Sequence, residues 1–166
     1  MKNLLDDTTI TETQLTYNKE AGVIIDQGAN ALVFVEGETG HVTFPSEAIL
    51  LLHKKAPGSI LGFTHTHPIK MPNPSVLDMR LLENWAKVFY PFPIRLGVIS
   101  VVDDNENIPL FTEKIYYARW QDKEEWLQDK SKERRVDIRL EKTEEFRNPA
   151  FSWRQWMIDF SYKKNK

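Results

Sequence analysis

No cysteine occurs anywhere in the chain. Disulfides are therefore excluded, and so is any thiolate metal site, which leaves histidine, carboxylate and water as the ligands open to a bound ion. Long apolar runs are missing as well. No stretch is long and hydrophobic enough to span a bilayer, and Met1-Lys2-Asn3-Leu4-Leu5-Asp6-Asp7 lacks the apolar region of a signal peptide, so a soluble cytoplasmic protein is expected. An excess of one charge is also lacking. The 22 basic and 24 acidic residues are interspersed and sum to −2, without the basic face that a nucleic-acid partner requires. What is present, 166 residues that are 41% hydrophobic and 28% charged, suits one globular domain with a single core.

Residues Met1 to Asn18 are polar and threonine-rich, and read as an extended arm with one edge strand. The apolar runs Ala21 to Ile25, Ala31 to Val35 and His41 to Phe44 are expected to form an antiparallel meander. Ser46 is expected to cap a helix ending before Pro57-Gly58. The nearly continuous apolar run Ile94 to Val102 reads as a central strand, the acidic run Asp103 to Asn107 as a hairpin turn, and Leu110 to Trp120 as the returning strand. From Gln121 the composition changes. Asp122 to Arg135 is charge-dense and expected to be a surface helix, Val136 to Leu140 a short edge strand, and Phe151, Trp153, Trp156, Met157 and Phe160 the apolar stripe of a helix packed on the sheet.

The chemistry concentrates in one stretch. His65 and His67 follow the apolar run Ile60-Leu61-Gly62-Phe63, and residues two apart in a strand share a face, so both imidazoles can reach one metal ion. Pro68 ends the strand, and Pro72 and Pro74 stiffen the loop after it. A helix then begins with Ser75 as N-cap and Asp78 at its third position, Leu77, Leu81, Trp85 and Val88 forming its apolar face. Ser-x-x-Asp is by itself an ordinary capping box. Placed after the histidine pair, however, Asp78 becomes a third ligand, and two imidazoles, a carboxylate and one open position describe a catalytic zinc site.

The run His65-Thr66-His67-Pro68, six further residues, then Ser75-Val76-Leu77-Asp78 resembles the His-x-His-Pro-x6-Ser-x-x-Asp motif of the JAMM (MPN+, JAB) zinc metallopeptidases, and Gly62 matches a glycine usual before it. Thr64 departs from the aromatic residue usual at its place, with an expected effect on how a substrate strand packs beside the metal. The resemblance covers roughly residues 19–121 and leaves about 122–166 as an extension of the single domain. It implies an α/β (α+β) fold of the cytidine-deaminase-like JAB/MPN type, a mixed and mainly antiparallel sheet flanked by helices. It also implies one zinc ion per chain held by His65, His67 and Asp78, with Ser75 stabilising the tetrahedral intermediate. A zinc hydrolase further needs a base for the attacking water. Glu20-Ala21-Gly22-Val23 resembles the early-strand Glu-Thr-Gly-Gly of prokaryotic members, which points to Glu20, with Glu36, Glu38 and Glu47 as alternatives. His41 and His53 lack ligand spacing and read as surface or strand-end residues.

The activity implied is hydrolysis of a peptide or isopeptide bond, after the C-terminus of a ubiquitin-like or otherwise conjugated protein. The setting implied is bacterial or phage-encoded: relatives occur in operons with E1-like and E2-like proteins, some of them anti-phage systems, and others trim phage tail proteins. A non-catalytic scaffold of the same fold is the alternative from a different class, and a metal-dependent nuclease a weaker one.

Overall fold

The computed structural model describes residues 15–105, 107–129 and 132–165. In chain order its elements are β1 (Leu15–Tyr17), β2 (Ala21–Asp26), β3 (Ala31–Glu36), α1 (Ser46–Lys55), β4 (Ile60–Thr66), α2 (Val76–Phe89), β5 (Ile94–Asp103), β6 (Leu110–Trp120), α3 (Lys123–Leu127), β7 (Val136–Phe146), α4 (Ser152–Ser161) and β8 (Tyr162–Lys164). Six strands form a mixed sheet in the order β3-β2-β4-β5-β6-β7, while β1 and β8 pair separately. Every neighbouring pair in the larger sheet is antiparallel except β4 and β5. A parallel pair cannot be closed by a tight hairpin. The stretch between β4 and β5 is therefore a crossover, and it carries α2.

Helices cover both faces of the sheet. On the front, Ile49 of α1 and Leu82, Trp85, Ala86 and Phe89 of α2 pack with Ile24, Phe63 and Leu96. On the back, Trp153, Met157 and Ile158 of α4 pack with Val23, Ile25, Ile99 and Val101. Alternation along β2 sends Val23 and Ile25 to one core and Ile24 to the other, as a strand covered on both faces requires. The helix expected to carry an aromatic stripe therefore does pack on the sheet. No helix among the described residues is long and apolar enough to cross a membrane.

Several expected elements differ. The run His41 to Phe44 is not a strand: only a Glu38–His41 bridge forms, and β2 lies between β3 and β4, so the meander is absent. Phe44 instead folds over the front face and rests against Phe63, with ring centroids 5.2 Å apart, in the space left by Gly22, where a Cβ would come within 2.8 Å of the Phe44 ring. Ser46 is the first helical residue of α1, whose N-cap is Pro45 without a side-chain hydrogen bond. The buried stripe of α2 is Leu82, Trp85, Ala86 and Phe89, whereas Leu77 and Val88 are exposed. Leu77, Leu81 and Trp85 form an i, i+4 ridge that borders a cleft. Among the described residues, the charge-dense stretch after Gln121 yields only the five residues of α3, none of them buried, because it offers no apolar stripe to hold a longer helix; residues 130 and 131 lie outside the described residues. The edge strand β7 runs for 11 residues, its polar composition carried by pairing with β6 from Trp120↔Val136 to Phe111↔Phe146, with one register shift between Ile115 and Tyr116. Of the extended arm, Leu15–Tyr17 is a strand and residues 1–14 lie outside the described residues.

A buried ion pair fastens α4 to the back of the sheet. Arg154 donates to Glu113 Oε1 from Nε at 2.9 Å and from Nη2 at 2.6 Å, and its Nη1 lies 2.6 Å from Glu144 Oε1. Thr64 completes the group by donating to Glu113 Oε2 at 3.1 Å. Its side chain thus points away from the histidine face, and the expectation that Thr64 shapes substrate packing does not hold. Gly97 makes room for the group, since a Cβ there would lie 2.3 Å from Glu113 Oε2. Removing one partner of such a pair strands the other charge, at a typical cost of about 3–5 kcal/mol. Urea unfolding of Arg154→Met is expected to show a loss of that order, with part of it regained when Glu113→Gln is added. A loss under about 1 kcal/mol from Arg154→Met would show that the pair is not what holds α4.

Candidate metal centre

Three side chains converge at the C-terminal end of β4. His65 Nε2 lies 2.9 Å from His67 Nε2 and 3.1 Å from Asp78 Oδ1, and His67 Nε2 lies 3.0 Å from Asp78 Oδ2. Both histidines are buried, and Asp78 is partly so. Each is placed by a local device. The pairing Gly22↔His65 fixes the strand, and the peptide of His67, one residue beyond it, donates to Ile99 O at 2.8 Å. Asp78 is held by the α2 cap: Ser75 Oγ accepts from the Asp78 amide at 3.0 Å, and Asp78 Oδ2 accepts from the Ser75 amide at 2.8 Å. The capping box and the third ligand are the same residue, oriented by the first for the second.

The far side of each imidazole decides what the near side can do. His65 Nδ1 lies 3.1 Å from Gly97 O, and His67 Nδ1 lies 3.1 Å from Met71 O. A carbonyl can only accept, so each Nδ1 carries a proton, and a ring in its neutral form presents a bare lone pair at Nε2. With both rings neutral, two such lone pairs and a carboxylate face one another without a donor among them. Left so, each buried acceptor costs about 1–3 kcal/mol. A cation at the centre removes the conflict. Metal–nitrogen bonds of about 2.0–2.1 Å at tetrahedral angles separate donor atoms by about 3.3 Å, close to the triangle present, so the donor set fits one divalent ion with a further position toward the cleft. Carbonyl-bound Nδ1 atoms are also the usual outer support of metal-binding histidines.

Charges at the site follow from the same contacts. In the metal-free site burial acts to raise the Asp78 carboxyl, but hydrogen bonds from His65 and His67, the charge of His65, and the Ser75 amide hold it far below the usual carboxylate range. For His67 burial works downward. The hydrogen bond and charge of Asp78, with the charge of Glu20 and the Met71 carbonyl, outweigh it and raise its pKa. Burial raises the Glu20 carboxyl too, against the opposing pull of His65 and His67.

The triad forms the floor of a cleft of about 480 Å³. Glu20 and Ser75 line it with the triad, so all five expected site residues meet in one place. Continuing the Gly22↔His65 register by two residues sets Glu20 opposite His67 on the same face. Among the described residues, Glu20 and Asp78 are the carboxylates lining this cleft; Glu36, Glu38 and Glu47 do not line it. His53 stands apart in α1, stacked on Phe89 at 4.5 Å between centroids. His41 is a surface residue, as expected, and it also lines the cleft, following Gly40 at φ 93°. The supports of the triad went unnoticed in the sequence. Gly97 and Met71 act through backbone carbonyls, which no residue type advertises. Ser100 is buried in β5, donates to Pro68 O at 2.8 Å and accepts from the Met71 amide at 3.1 Å, shaping the loop that brings Met71 O to His67. Its only signal was a hydroxyl interrupting an apolar run.

No protein-family model matches the chain, and no curated protein matches it.

Protein purified without chelators is expected to carry one divalent ion per chain by elemental analysis, and the double substitution His65→Ala, His67→Ala to carry none. Protons compete with the ion for His67, whose metal-free pKa is raised above the ordinary histidine value of about 6.5. Metal uptake should therefore be complete at alkaline pH and weaken as pH falls through that raised value. Full retention in the double mutant, or uptake that strengthens on acidification, contradicts the assignment.

Proposed function

We propose that the chain is a zinc-dependent hydrolase of amide bonds, a peptidase or isopeptidase of the JAMM (JAB/MPN+) type on the corresponding cytidine-deaminase-like fold. The observation that carries this reading is the convergence of two Nε2 lone pairs and a carboxylate within 3.1 Å at the floor of a cleft that also holds Glu20. Zinc is the ion of choice for two imidazoles and one carboxylate without thiolate, and when bound it would supply Lewis-acid activation of water and of the scissile carbonyl. His65, His67 and Asp78 would hold it.

The remaining steps fall to the chain's own groups. Glu20 takes the proton of the attacking water and returns it to the leaving amine; in the metal-free site burial raises its carboxyl from the ordinary value, against the pull of His65 and His67. Ser75 Oγ already accepts from the Asp78 amide, so its own proton is free to donate toward the developing oxyanion. Exposed Met71 and Leu77 stand at the cleft and would flank an extended substrate strand. The substrate proposed is a bond following the C-terminus of a ubiquitin-like or otherwise conjugated protein in the cytoplasm of a bacterial or phage system, with E1-like and E2-like proteins as companions. Glu20 in the cleft favours an enzyme over a scaffold of the same fold, which has no use for a buried carboxylate beside the ligands.

Glu20→Gln is nearly isosteric and leaves the triad intact. It should keep stoichiometric zinc and normal folding while cleavage of a fusion carrying a ubiquitin-like C-terminus drops by about 10²–10⁴-fold, the usual contribution of a general base. Cleavage at more than about a tenth of the wild-type rate would move the role elsewhere. Ser75→Ala should lose about 0.5–2 kcal/mol of stability with the N-cap, and lose turnover beyond what that accounts for. A folded Ser75→Ala protein that turns over at the wild-type rate would reduce Ser75 to a cap.

A further inference from the structure

The stretch after Gln121, which the motif does not reach, returns to the metal centre from behind the sheet. At the junction of α4 and β8, Ser161 and Tyr162 are both buried, and each bonds to a peptide or side chain of the site's own strands. Tyr162 Oη lies 2.5 Å from His67 O and 3.2 Å from Ile99 O. Both of these are carbonyls, so the hydroxyl must donate. Ile99 O is the same atom that accepts the His67 amide. The peptide groups on both sides of His67 are thus held, one by β5 and the other by Tyr162. This matters because His67 lies one residue past the end of β4, where no regular ladder fixes it and Pro68 follows.

The same junction reaches the segment that carries Glu20. Ser161 Oγ lies 2.6 Å from Thr66 Oγ1, which accepts from the Ala21 amide at 2.8 Å, and Ser161 O accepts from the Asn18 amide at 2.7 Å. Tyr17 pairs with Tyr162 in the β1–β8 ladder. Two adjacent residues therefore tie down a metal ligand and the approach to the carboxylate facing it.

We infer that Tyr162 is a positioning residue of the metal centre, its hydroxyl fixing the His67 main chain so that Nε2 is held in the triangle with His65 and Asp78. The inference rests on the metal-centre reading above. It makes the segment after β7 a working part of the site, acting on the ion through His67 and touching neither ion nor substrate. Outer partners of this kind commonly alter metal affinity by 10–100-fold.

Tyr162→Phe tests it, since the ring remains in its core and only the hydroxyl is lost. Two readouts are needed. In the metal-free protein the His67 carbonyl 13C resonance should move upfield as its hydrogen bond disappears, and in competition with a chromophoric chelator the affinity for zinc should fall about tenfold or more. Urea unfolding of the metal-free variant shows whether the fold has kept its cooperativity. A carbonyl resonance that stays in place, or a zinc affinity within about twofold of wild type, overturns the inference. Wild-type protein that takes up no zinc instead overturns the metal reading, and the carbonyl resonance still decides whether Tyr162 holds His67.

Discussion

Two imidazoles whose Nδ1 protons are already given to backbone carbonyls face each other and a carboxylate across about 3 Å, and much of the surrounding structure exists to keep them there. With both rings neutral the arrangement has no donor at its centre, and a cation bound there resolves it. Each surrounding element removes one way of relaxing the conflict. The Gly97 carbonyl prevents His65 from turning, the Met71 carbonyl does the same for His67, and the Ser75 cap keeps the carboxylate from swinging out to solvent. Rings locked by their outer partners are what a metal site requires, because the ion then meets its donors without ordering them first.

The placement of this cluster follows from the sheet. Among the described strands β4 and β5 are the one parallel pair, their connection is the crossover carrying α2, and the N-terminus of α2 comes down beside the end of β4. A carboxylate in the first turn is favoured there by the helix dipole and by free amides. Asp78 gains from the cap whether or not an ion is bound, and so the third ligand adds little strain to the apo fold. Glu20 enters from the opposite side through β2, the antiparallel neighbour of β4. Glu20 and the two histidines thus sit in or next to adjacent strands of a sheet buried on both faces, a stiffer platform than loops alone.

The parts of the site governed by local chemistry could be read in the sequence. His-x-His at strand spacing, prolines that end a strand, and Ser-x-x-Asp at a helix start each have a short-range meaning, and the structure brings His65, His67, Ser75, Asp78 and Glu20 to one cleft. Strands of continuous apolar residues, such as β2 and β5, were legible for the same reason. What escaped depends on long-range contact. His41 to Phe44 has the alternation of a strand, yet Phe44 finds better burial over Gly22 and Phe63 than any ladder offers. The polar run of β7 does not advertise its length, which comes from pairing with β6. Glu113 and Arg154, 41 residues apart, look like ordinary surface charges until α4 brings them together behind the sheet. Ser100 and the Gly97 carbonyl belong to the site through β5, where a hydroxyl in an apolar run is the one local sign and does not say what it binds.

The most direct test is zinc K-edge X-ray absorption on protein purified without chelators. A four-coordinate shell at about 2.0–2.2 Å, with the outer-ring scattering of two imidazoles, is the predicted result. A six-coordinate oxygen shell without imidazole scattering, or the absence of a zinc edge from well-folded protein, would contradict the assignment of His65, His67 and Asp78 as a metal centre.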